Sequence, residues 1–188
     1  MPTIYLFRHG QTTYNRDGKF TGYIDAPLSS KGKEDAKIIA ERLRDKKFGI
    51  AIHTRLSRSK DTLKEVLKKH NECQLVMEDD RMIERNYGKF NGKKHLTIIK
   101  EKGINAYDHW HRSYTARPPG GESFADVEKR VSAFIKDLKK IAKENNTNIA
   151  ISAHGNSIRV FRKIMEHLTR AQAEKLEISF DNYYSYKL

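Results

Sequence analysis

The sequence predicts an α/β fold in which a mainly parallel sheet is covered by helices on both faces. Short apolar runs that are typical of buried strands alternate along the chain with segments of helical periodicity. Two of these runs lead into similar loops, Arg8-His9-Gly10 and His154-Gly155-Asn156. The 188 residues are enough to bury a sizeable core and contain no internal repeat, linker or low-complexity segment. We therefore expect one domain spanning residues 1–188.

Three apolar runs in the first half of the chain predict strands. Ile4 to Phe7 is an apolar, aromatic run, and Gly10 ends it because glycine tolerates backbone conformations that other residues avoid. Ile50 to His53 predicts a second buried strand, and Leu75 to Met77 predicts a strand at the edge of the sheet. Helices separate these strands, so we expect the strands to run parallel.

Two helices are predicted between these strands. Ser29 and Ser30 offer capping hydroxyls for the first helix. Its apolar face consists of Ala36, Ile39, Ala40 and Leu43. The second helix begins near Arg58 and ends at about Lys69. Arg58 is therefore expected near the edge of the sheet at which the preceding strand ends.

The second half of the chain begins with a loop-rich stretch from Met82 to Gly88. Two short helices are predicted next, at residues 96–102 and 106–114, and the segment Arg117-Pro118-Pro119-Gly120-Gly121 ends them. Ser123 to Asp126 resembles a capping box with aspartate in the place of glutamate. The long amphipathic helix that begins there has an apolar stripe formed by Phe124, Val127, Val131, Phe134, Ile135, Leu138 and Ile141.

The last predicted elements return the chain to the sheet. Residues 148–152 form the fourth predicted strand, and a helix follows at about residues 157–167. Tyr183 to Tyr186 predicts a final strand, in which the tyrosines are interpreted as strand-packing residues.

Composition predicts a cytoplasmic protein that does not contact a membrane. Hydrophobic residues make up 37% of the chain and charged residues 32%. No apolar run approaches the roughly 20 residues that span a bilayer, and the N-terminus lacks the pattern of a secretory signal. Cys73 is the only cysteine, which excludes an internal disulfide and a cysteine-based zinc cluster.

The net charge of +13 has two interpretations. Lysines crowd residues 31–47 and 136–143, but acidic residues alternate with them, as on solvated helix faces. No recognised nucleic-acid motif accompanies the lysines, so we predict no specific nucleic-acid partner. We expect the excess charge to attract small anionic substrates toward the protein.

Basic and imidazole side chains follow the ends of three predicted strands. Arg8 and His9 follow the first strand, Arg58 the second and His154 the fourth. Because parallel strands end at one edge of a sheet, we expect these side chains to meet there, although an Arg-His-Gly tripeptide alone is also compatible with a basic surface loop. One imidazole could attack a phosphoryl group while the two guanidiniums and the second imidazole hold its oxygens.

Five segments of the chain resemble the histidine phosphatase superfamily, whose mark is an Arg-His-Gly loop and a distant second histidine. The segments are L-F-R-H-G-Q-T-T-Y-N, F-T-G-Y-I-D-A-P-L-S, I-E-R-N-Y-G, H-W-H-R-S-Y and A-H-G-N-S-I-R. Within the superfamily the chain is most similar to the 2,3-bisphosphoglycerate-dependent phosphoglycerate mutases. This resemblance implies a phosphoglycerate mutase-like fold and the interconversion of 3-phosphoglycerate and 2-phosphoglycerate. It also implies 2,3-bisphosphoglycerate as the primer and no metal.

The resemblance implies roles for individual residues. His9 would be the nucleophile that becomes phosphohistidine, with Arg8, Arg58 and His154 binding the phosphoryl group and Glu84 donating and accepting the proton of the substrate oxygen. Substrate contacts would come from Asn15, Thr21, Gly22, Arg85, Tyr87, Arg112, Gly155 and Asn156. Surface ion pairs are the structural alternative for Glu84, Arg85 and Arg112.

Four features keep a second activity open, the hydrolysis of small phosphorylated metabolites by a metal-independent histidine phosphatase. His111 stands where the mutases carry the first of two arginines, and His95 stands near a mutase lysine. The segment from Pro118 to Ser123 has the short phosphatase form, and the chain stops at Leu188 without the extended tail of the mutases. The loops at residues 20–23 and 83–88 favour the mutase. The sequence leaves the substrate and the oligomeric state open, with a homodimer as one expectation.

Overall fold

Five strands form one sheet in the order β3-β2-β4-β1-β5 in the computed structural model, which describes residues 1–188. The strands are β1 (Thr3–Arg8), β2 (Ile50–His53), β3 (Leu75–Glu78), β4 (Ile149–Ala153) and β5 (Tyr183–Lys187). The pairs β1–β4, β2–β4 and β2–β3 are parallel, and β5 runs antiparallel to β1. The predicted mainly parallel sheet is confirmed, and β3 is an edge strand as predicted.

Eight α-helices connect and cover the strands. They are α1 (Thr13–Arg16), α2 (Ser30–Leu43), α3 (Ser57–Leu67), α4 (His95–Lys102), α5 (Ile104–Arg112), α6 (Phe124–Asn145), α7 (Gly155–Met165) and α8 (Arg170–Lys175). Two short 3₁₀ helices, at Asp80–Met82 and Gly88–Phe90, flank the predicted loop from Met82 to Gly88. The predictions omit α1 and α8 because helices of four and six residues are too short to show a periodic apolar face.

Each face of the sheet carries its own apolar core, because alternate residues of a strand point to opposite faces. Ile4 and Leu6 of β1 lie in the larger core with residues of α6 and α7. Tyr5 and Phe7 of the same strand lie in the second core with residues of α2 and α3. Helices therefore cover both faces of the sheet, as predicted.

Local sequence signals fix two of the junctions near the sheet edge. Ser123 accepts a hydrogen bond from the backbone N–H of Asp126, whose side chain accepts one from the backbone N–H of Ser123, so the predicted capping box begins α6. Gly10 is required for a reason other than the predicted one. A Cβ atom there would lie 2.1 Å from the carbonyl oxygen of Gly32, so the loop after β1 has no room for a side chain.

None of the helices combines the length and the apolar character that crossing a membrane requires.

Replacing Phe134 with alanine should lower the free energy of unfolding by about 3–5 kcal/mol. The side chain is 2% exposed in the larger core, so its removal leaves a cavity beneath α6. Urea denaturation measures the change. Lys136→Ala, at an exposed position of the same helix, should change the free energy by less than about 0.5 kcal/mol. Equal effects of the two substitutions would contradict this description of the core.

Candidate active site

The adjacent ends of β1 and β4 place His9 beside His154. Arg8 is in register with Ala153, and the backbone N–H of His9 donates to the carbonyl of Ala153 at 3.0 Å. The two imidazole centroids are 4.9 Å apart, with an angle of 59° between the ring planes. His9 is 2% exposed and His154 is fully buried. The structure thus brings together two histidines that are distant in the sequence.

The imidazole of His9 has a defined proton position. Its Nδ1 lies 2.7 Å from the carbonyl oxygen of Gly10, and because a carbonyl only accepts, Nδ1 carries the proton. Nε2 is therefore left with a free electron pair, toward which Nε of Arg58 donates at 3.3 Å. Burial, followed by the charges of Arg58 and Arg8, holds the pKa of His9 well below its ordinary value. His9 is thus a neutral imidazole whose Nε2 can act as a nucleophile.

Two guanidiniums beside His9 have carbonyl partners and no carboxylate partner within ion-pair distance. Arg58, which is fully buried, donates to the carbonyls of Gly22 and Ile24 at 2.8 Å each. Arg8 donates from Nη1 to the carbonyl of Ile178 at 2.7 Å, and its Nε is buried without a partner. Burial lowers the pKa of both arginines to about 10, so both remain charged at neutral pH. Two unpaired charges beside a nucleophile form a site for an anion.

His154 adds a further polar group to this anion site. It precedes the first turn of α7, where the partial positive charge of a helix N-terminus favours anions. Its Nε2 lies 2.8 Å from Oγ1 of Thr54, and its Nδ1 is buried without a partner. Burial and the charge of Arg58 hold the pKa of His154 well below its ordinary value, so the imidazole is neutral when no anion is bound.

Glu84 is the acidic residue of the site. Its side chain is 8% exposed, and Oε1 accepts hydrogen bonds from the backbone N–H groups of Arg85 and Asn156 at 2.8 and 3.2 Å. The salt bridge between Glu84 and Arg85 that the sequence left open is not formed. Glu84 is therefore held by backbone amides and faces the cavity beside the anion site.

A cavity of about 160 Å³ lies beside this group of residues and is lined by two of them, Arg8 and Glu84, whereas His9, Arg58 and His154 are not among its lining residues. Its lining consists of Arg8, Asn15, Lys19, Phe20, Thr21, Gly22, Glu84, Tyr87, His95, His111, Gly155, Asn156, Arg159 and Ile178. A larger groove of about 510 Å³ near Gly49 and Asn148 contains neither histidine nor arginine. Of the eight predicted substrate contacts, the smaller cavity includes all except Arg85 and Arg112.

The structure places Arg85 and Arg112 outside the cavity. Arg85 is fully buried, and its guanidinium donates to the carbonyls of Glu122, His111, Trp110 and Ala116. Through these hydrogen bonds, Arg85 connects the Glu84 loop to the end of α5. Arg112 is exposed on the last turn of α5 and lines a separate surface groove with Arg159. Neither guanidinium is available to a molecule in the cavity in this conformation.

The cavity contains two cations that the sequence predictions missed, Lys19 and Arg159. Arg159 could have been predicted from the sequence, because it lies three residues after Asn156 and therefore on the same face of α7. Its Nη1 donates to Oδ1 of Asn156 at 2.9 Å. Lys19 lies in a loop and could not be predicted in this way.

A second missed feature is the segment between α8 and β5, which covers Arg8. The carbonyl of Ile178 accepts from Arg8, and the ring centroid of Phe180 lies 3.8 Å from the Arg8 guanidinium carbon. No motif marks this segment, because its contacts reach residues about 170 positions away.

His95 and His111, which line the cavity, form an aromatic group with Phe20 and Tyr107. The ring centroids of His95 and Phe20 are 4.0 Å apart, and those of His111 and Tyr107 are 5.0 Å apart. Burial lowers the pKa of His111 to about 3 and also lowers the pKa of His95. Both imidazoles are neutral at pH 7 and offer hydrogen bonds, while the charge of Arg112 acts on both of them.

Comparisons with known proteins agree with this geometry. The sequence profile of the histidine phosphatase superfamily (branch 1) matches residues 4–187. 2,3-Bisphosphoglycerate-dependent phosphoglycerate mutase 2 of Gloeobacter violaceus is 34% identical over 181 residues, which cover 96% of this chain and 83% of that protein. Phosphoglycerate mutase of Schizosaccharomyces pombe is 34% identical over 179 residues, covering 94% and 85%. Among solved structures, the mycobacterial glucosyl-3-phosphoglycerate phosphatase superimposes with a TM-score of 0.81 at 27% identity, covering 94% and 84%.

The free energy of unfolding should fall as the pH is lowered from about 7.5 to about 5.5. Below the ordinary histidine pKa of 6.5, the unfolded chain takes up protons on His9, His95, His111 and His154, whereas the folded chain, in which these pKa values are lowered, takes up fewer. The native state therefore loses stability on the acid side. A histidine that stays neutral in the folded chain contributes a loss of about 1.4 kcal/mol in total over this range. Urea denaturation at several pH values measures the slope.

The variant His111→Phe tests the origin of this slope. Removing one neutral buried imidazole should reduce the loss of stability between about pH 7.5 and about pH 5.5 by about 1.4 kcal/mol. An unchanged slope would contradict the assignment of His111 to the group of buried neutral histidines.

Proposed function

Because the chain belongs to the histidine phosphatase superfamily, we propose that it transfers phosphoryl groups through a phosphohistidine at His9. One observation carries the proposal. The unprotonated Nε2 of His9 is buried beside two guanidiniums, those of Arg8 and Arg58, that have no carboxylate partner. This arrangement places a nucleophile beside two positive charges that can bind a phosphoryl group.

Each residue of the site has a part in the proposed transfer. Nε2 of His9 forms the bond to phosphorus while the bond to the ester oxygen breaks in line with it. The guanidiniums of Arg8 and Arg58 stabilise the charge on the equatorial oxygens, which is the main demand of a loose phosphoryl-transfer transition state. Glu84 gives a proton to the departing oxygen and takes it back when an acceptor oxygen attacks the phosphohistidine.

We propose that the acceptor is the 2-hydroxyl of a bound 3-phosphoglycerate. The phosphohistidine gives its phosphoryl group to this hydroxyl, and the bisphosphate so formed returns its 3-phosphoryl group to His9, which leaves 2-phosphoglycerate. Lys19 and Arg159 support this proposal, because they offer positive charge for a carboxylate beyond the phosphoryl site. The burial of His9 and His154 supports it as well, since a mutase must keep water away from the phosphohistidine. The two mutase relatives named above agree with this choice.

The residues present fit 2,3-bisphosphoglycerate as the primer of such a reaction. Arg8, Lys19 and Arg159 line the cavity, and Oγ1 of Thr21 is buried there without a partner. When bound, 2,3-bisphosphoglycerate would supply the phosphoryl group that charges His9.

Hydrolysis of small phosphorylated metabolites is the second candidate function. The observation that favours it is that two of the lining residues, His95 and His111, are neutral imidazoles and so add no fixed charge for a second anionic group. The short segment at residues 118–121 is also tied to the Glu84 loop, since the carbonyl of Pro119 accepts from the backbone N–H of Lys89 at 2.9 Å. Both candidate functions share the first step at His9 and differ in whether water or a substrate hydroxyl is the acceptor.

Replacing His9 with alanine should abolish phosphoryl labelling of the protein and turnover of phosphorylated substrates. The substitution removes the atom that forms the bond to phosphorus. Labelling is measured with ³²P-2,3-bisphosphoglycerate under alkaline conditions that preserve phosphohistidine. The control His109→Ala changes an exposed histidine of α5 and should label like the wild type. Labelling of the His9→Ala protein would refute the role of His9.

Incubation with 3-phosphoglycerate should yield 2-phosphoglycerate in an amount that depends on added 2,3-bisphosphoglycerate. The mutase proposal requires the phosphorylated enzyme, which the bisphosphate regenerates after each loss to water. Coupled enolase activity measures 2-phosphoglycerate, and a molybdate assay measures free phosphate. Release of phosphate without 2-phosphoglycerate would establish the phosphatase instead.

A further inference from the structure

Thr54 lies directly after β2 and contacts His154 from the side of the neighbouring strand. Its side chain is fully buried, and Oγ1 lies 2.8 Å from Nε2 of His154. The backbone N–H of Thr54 donates to Oγ of Ser59 at 3.1 Å, and that hydroxyl donates to the carbonyl of Ser152 in β4 at 2.7 Å. The hydroxyl of Thr54 is thus held in place relative to both β2 and β4.

We propose that Thr54 is a positioning residue that keeps the imidazole of His154 directed at the phosphoryl site in both protonation states of the ring. This inference rests on the proposed phosphohistidine chemistry and adds a residue to it. None of the sequence patterns described above pointed to Thr54.

The contact with Thr54 is the only hydrogen bond of the His154 ring. The other ring nitrogen, Nδ1, is buried and has no partner. Without the hydroxyl of Thr54, no hydrogen bond would fix the orientation of the His154 ring. The orientation of His154 toward an incoming phosphoryl group therefore depends on a single hydroxyl.

A hydroxyl suits this position because it can either donate or accept a hydrogen bond. When His154 is neutral, the O–H of Thr54 can donate to an unprotonated Nε2. A phosphoryl dianion beside the ring favours the imidazolium, whose Nε2–H then donates to Oγ1 of Thr54. A methyl group in place of the hydroxyl would leave Nε2 unpaired in either state.

The charged groups around His154 make this acceptor more important. The side chains that act on the ring are those of Arg58, His9, Arg130 and Arg8, all of them basic. No acidic group among them can accept the proton of Nε2. Since hydrogen bonds to a charged donor are roughly twice as strong as neutral ones, Thr54 favours the imidazolium over the neutral ring.

The test compares Thr54→Val, which has nearly the same shape without the hydroxyl, with Thr54→Ser, which keeps the hydroxyl. Thr54→Val should slow the labelling of His9 by about tenfold, the equivalent of one hydrogen bond, whereas Thr54→Ser should stay within about threefold of the wild type. Thr147→Val is a matched control, because Oγ1 of Thr147 accepts a hydrogen bond from the backbone N–H of Gly49 at 3.0 Å near the opposite end of the sheet. It should label like the wild type.

The pH profile distinguishes positioning of His154 from a general loss of structure. Labelling should fall as the pH rises and His154 loses its proton, and in Thr54→Val this fall should begin at lower pH. Equal rates and equal pH profiles for Thr54→Val and the wild type would overturn the inference. Equal losses for Thr54→Val and Thr54→Ser would overturn it as well.

A measurement without turnover separates this inference from the proposed function. In protein labelled with ¹⁵N-histidine and saturated with inorganic phosphate, NMR titration should give a lower pKa for His154 in Thr54→Val than in the wild type. An unchanged pKa overturns the role of Thr54 even if His9 becomes labelled. A lowered pKa in a protein that is never labelled supports the contact and refutes the phosphohistidine chemistry.

Discussion

The site depends on the burial of positive charge at the end of the sheet without a paired carboxylate. A buried charge is costly unless hydrogen bonds or an opposite charge compensate for it. Here backbone carbonyls provide the compensation, those of Gly22 and Ile24 for Arg58 and that of Ile178 for Arg8. Carbonyl dipoles satisfy the N–H groups but leave the net charge in place. The net positive charge of Arg8 and Arg58 therefore favours the binding of an anion.

The same constraint explains the conformation of the loops around the cavity. The loop after α1 and the segment before β5 present their carbonyls inward, because the two guanidiniums have no carboxylate acceptors. The loop of Glu84 is fixed in a similar way by Arg130, which donates to the carbonyls of Arg81, Ile83 and Glu84 and to the carboxylate of Glu122. The loop of Glu84 is thereby held by a partly buried arginine on α6, outside the cavity.

Charged and neutral polar side chains both line the cavity, and this mixture bears on the choice between the two candidate functions. The phosphoryl site with Arg8 and Arg58 serves the first step of either function. Lys19 and Arg159 provide charge for a second anionic group, whereas His95 and His111 provide neutral hydrogen-bonding partners. Which of these sets contacts the rest of the substrate decides whether the phosphoryl group returns to that molecule or passes to water.

The sequence by itself determined the strands, most of the helices and the meeting of His9 with His154. These features follow from local patterns and from one general rule, that parallel strands end at the same edge of a sheet. The capping box at Ser123 could also be predicted from the sequence, because its two residues are three positions apart. Only the tertiary structure decided where the long basic side chains point. The guanidinium of Arg85 donates to carbonyls of α5, whereas Arg159 lines the cavity, although both residues lie within segments that resemble the family. The direction of such a side chain depends on acceptors that lie up to about 170 residues away, as the bond from Arg8 to Ile178 illustrates, and no local pattern encodes them.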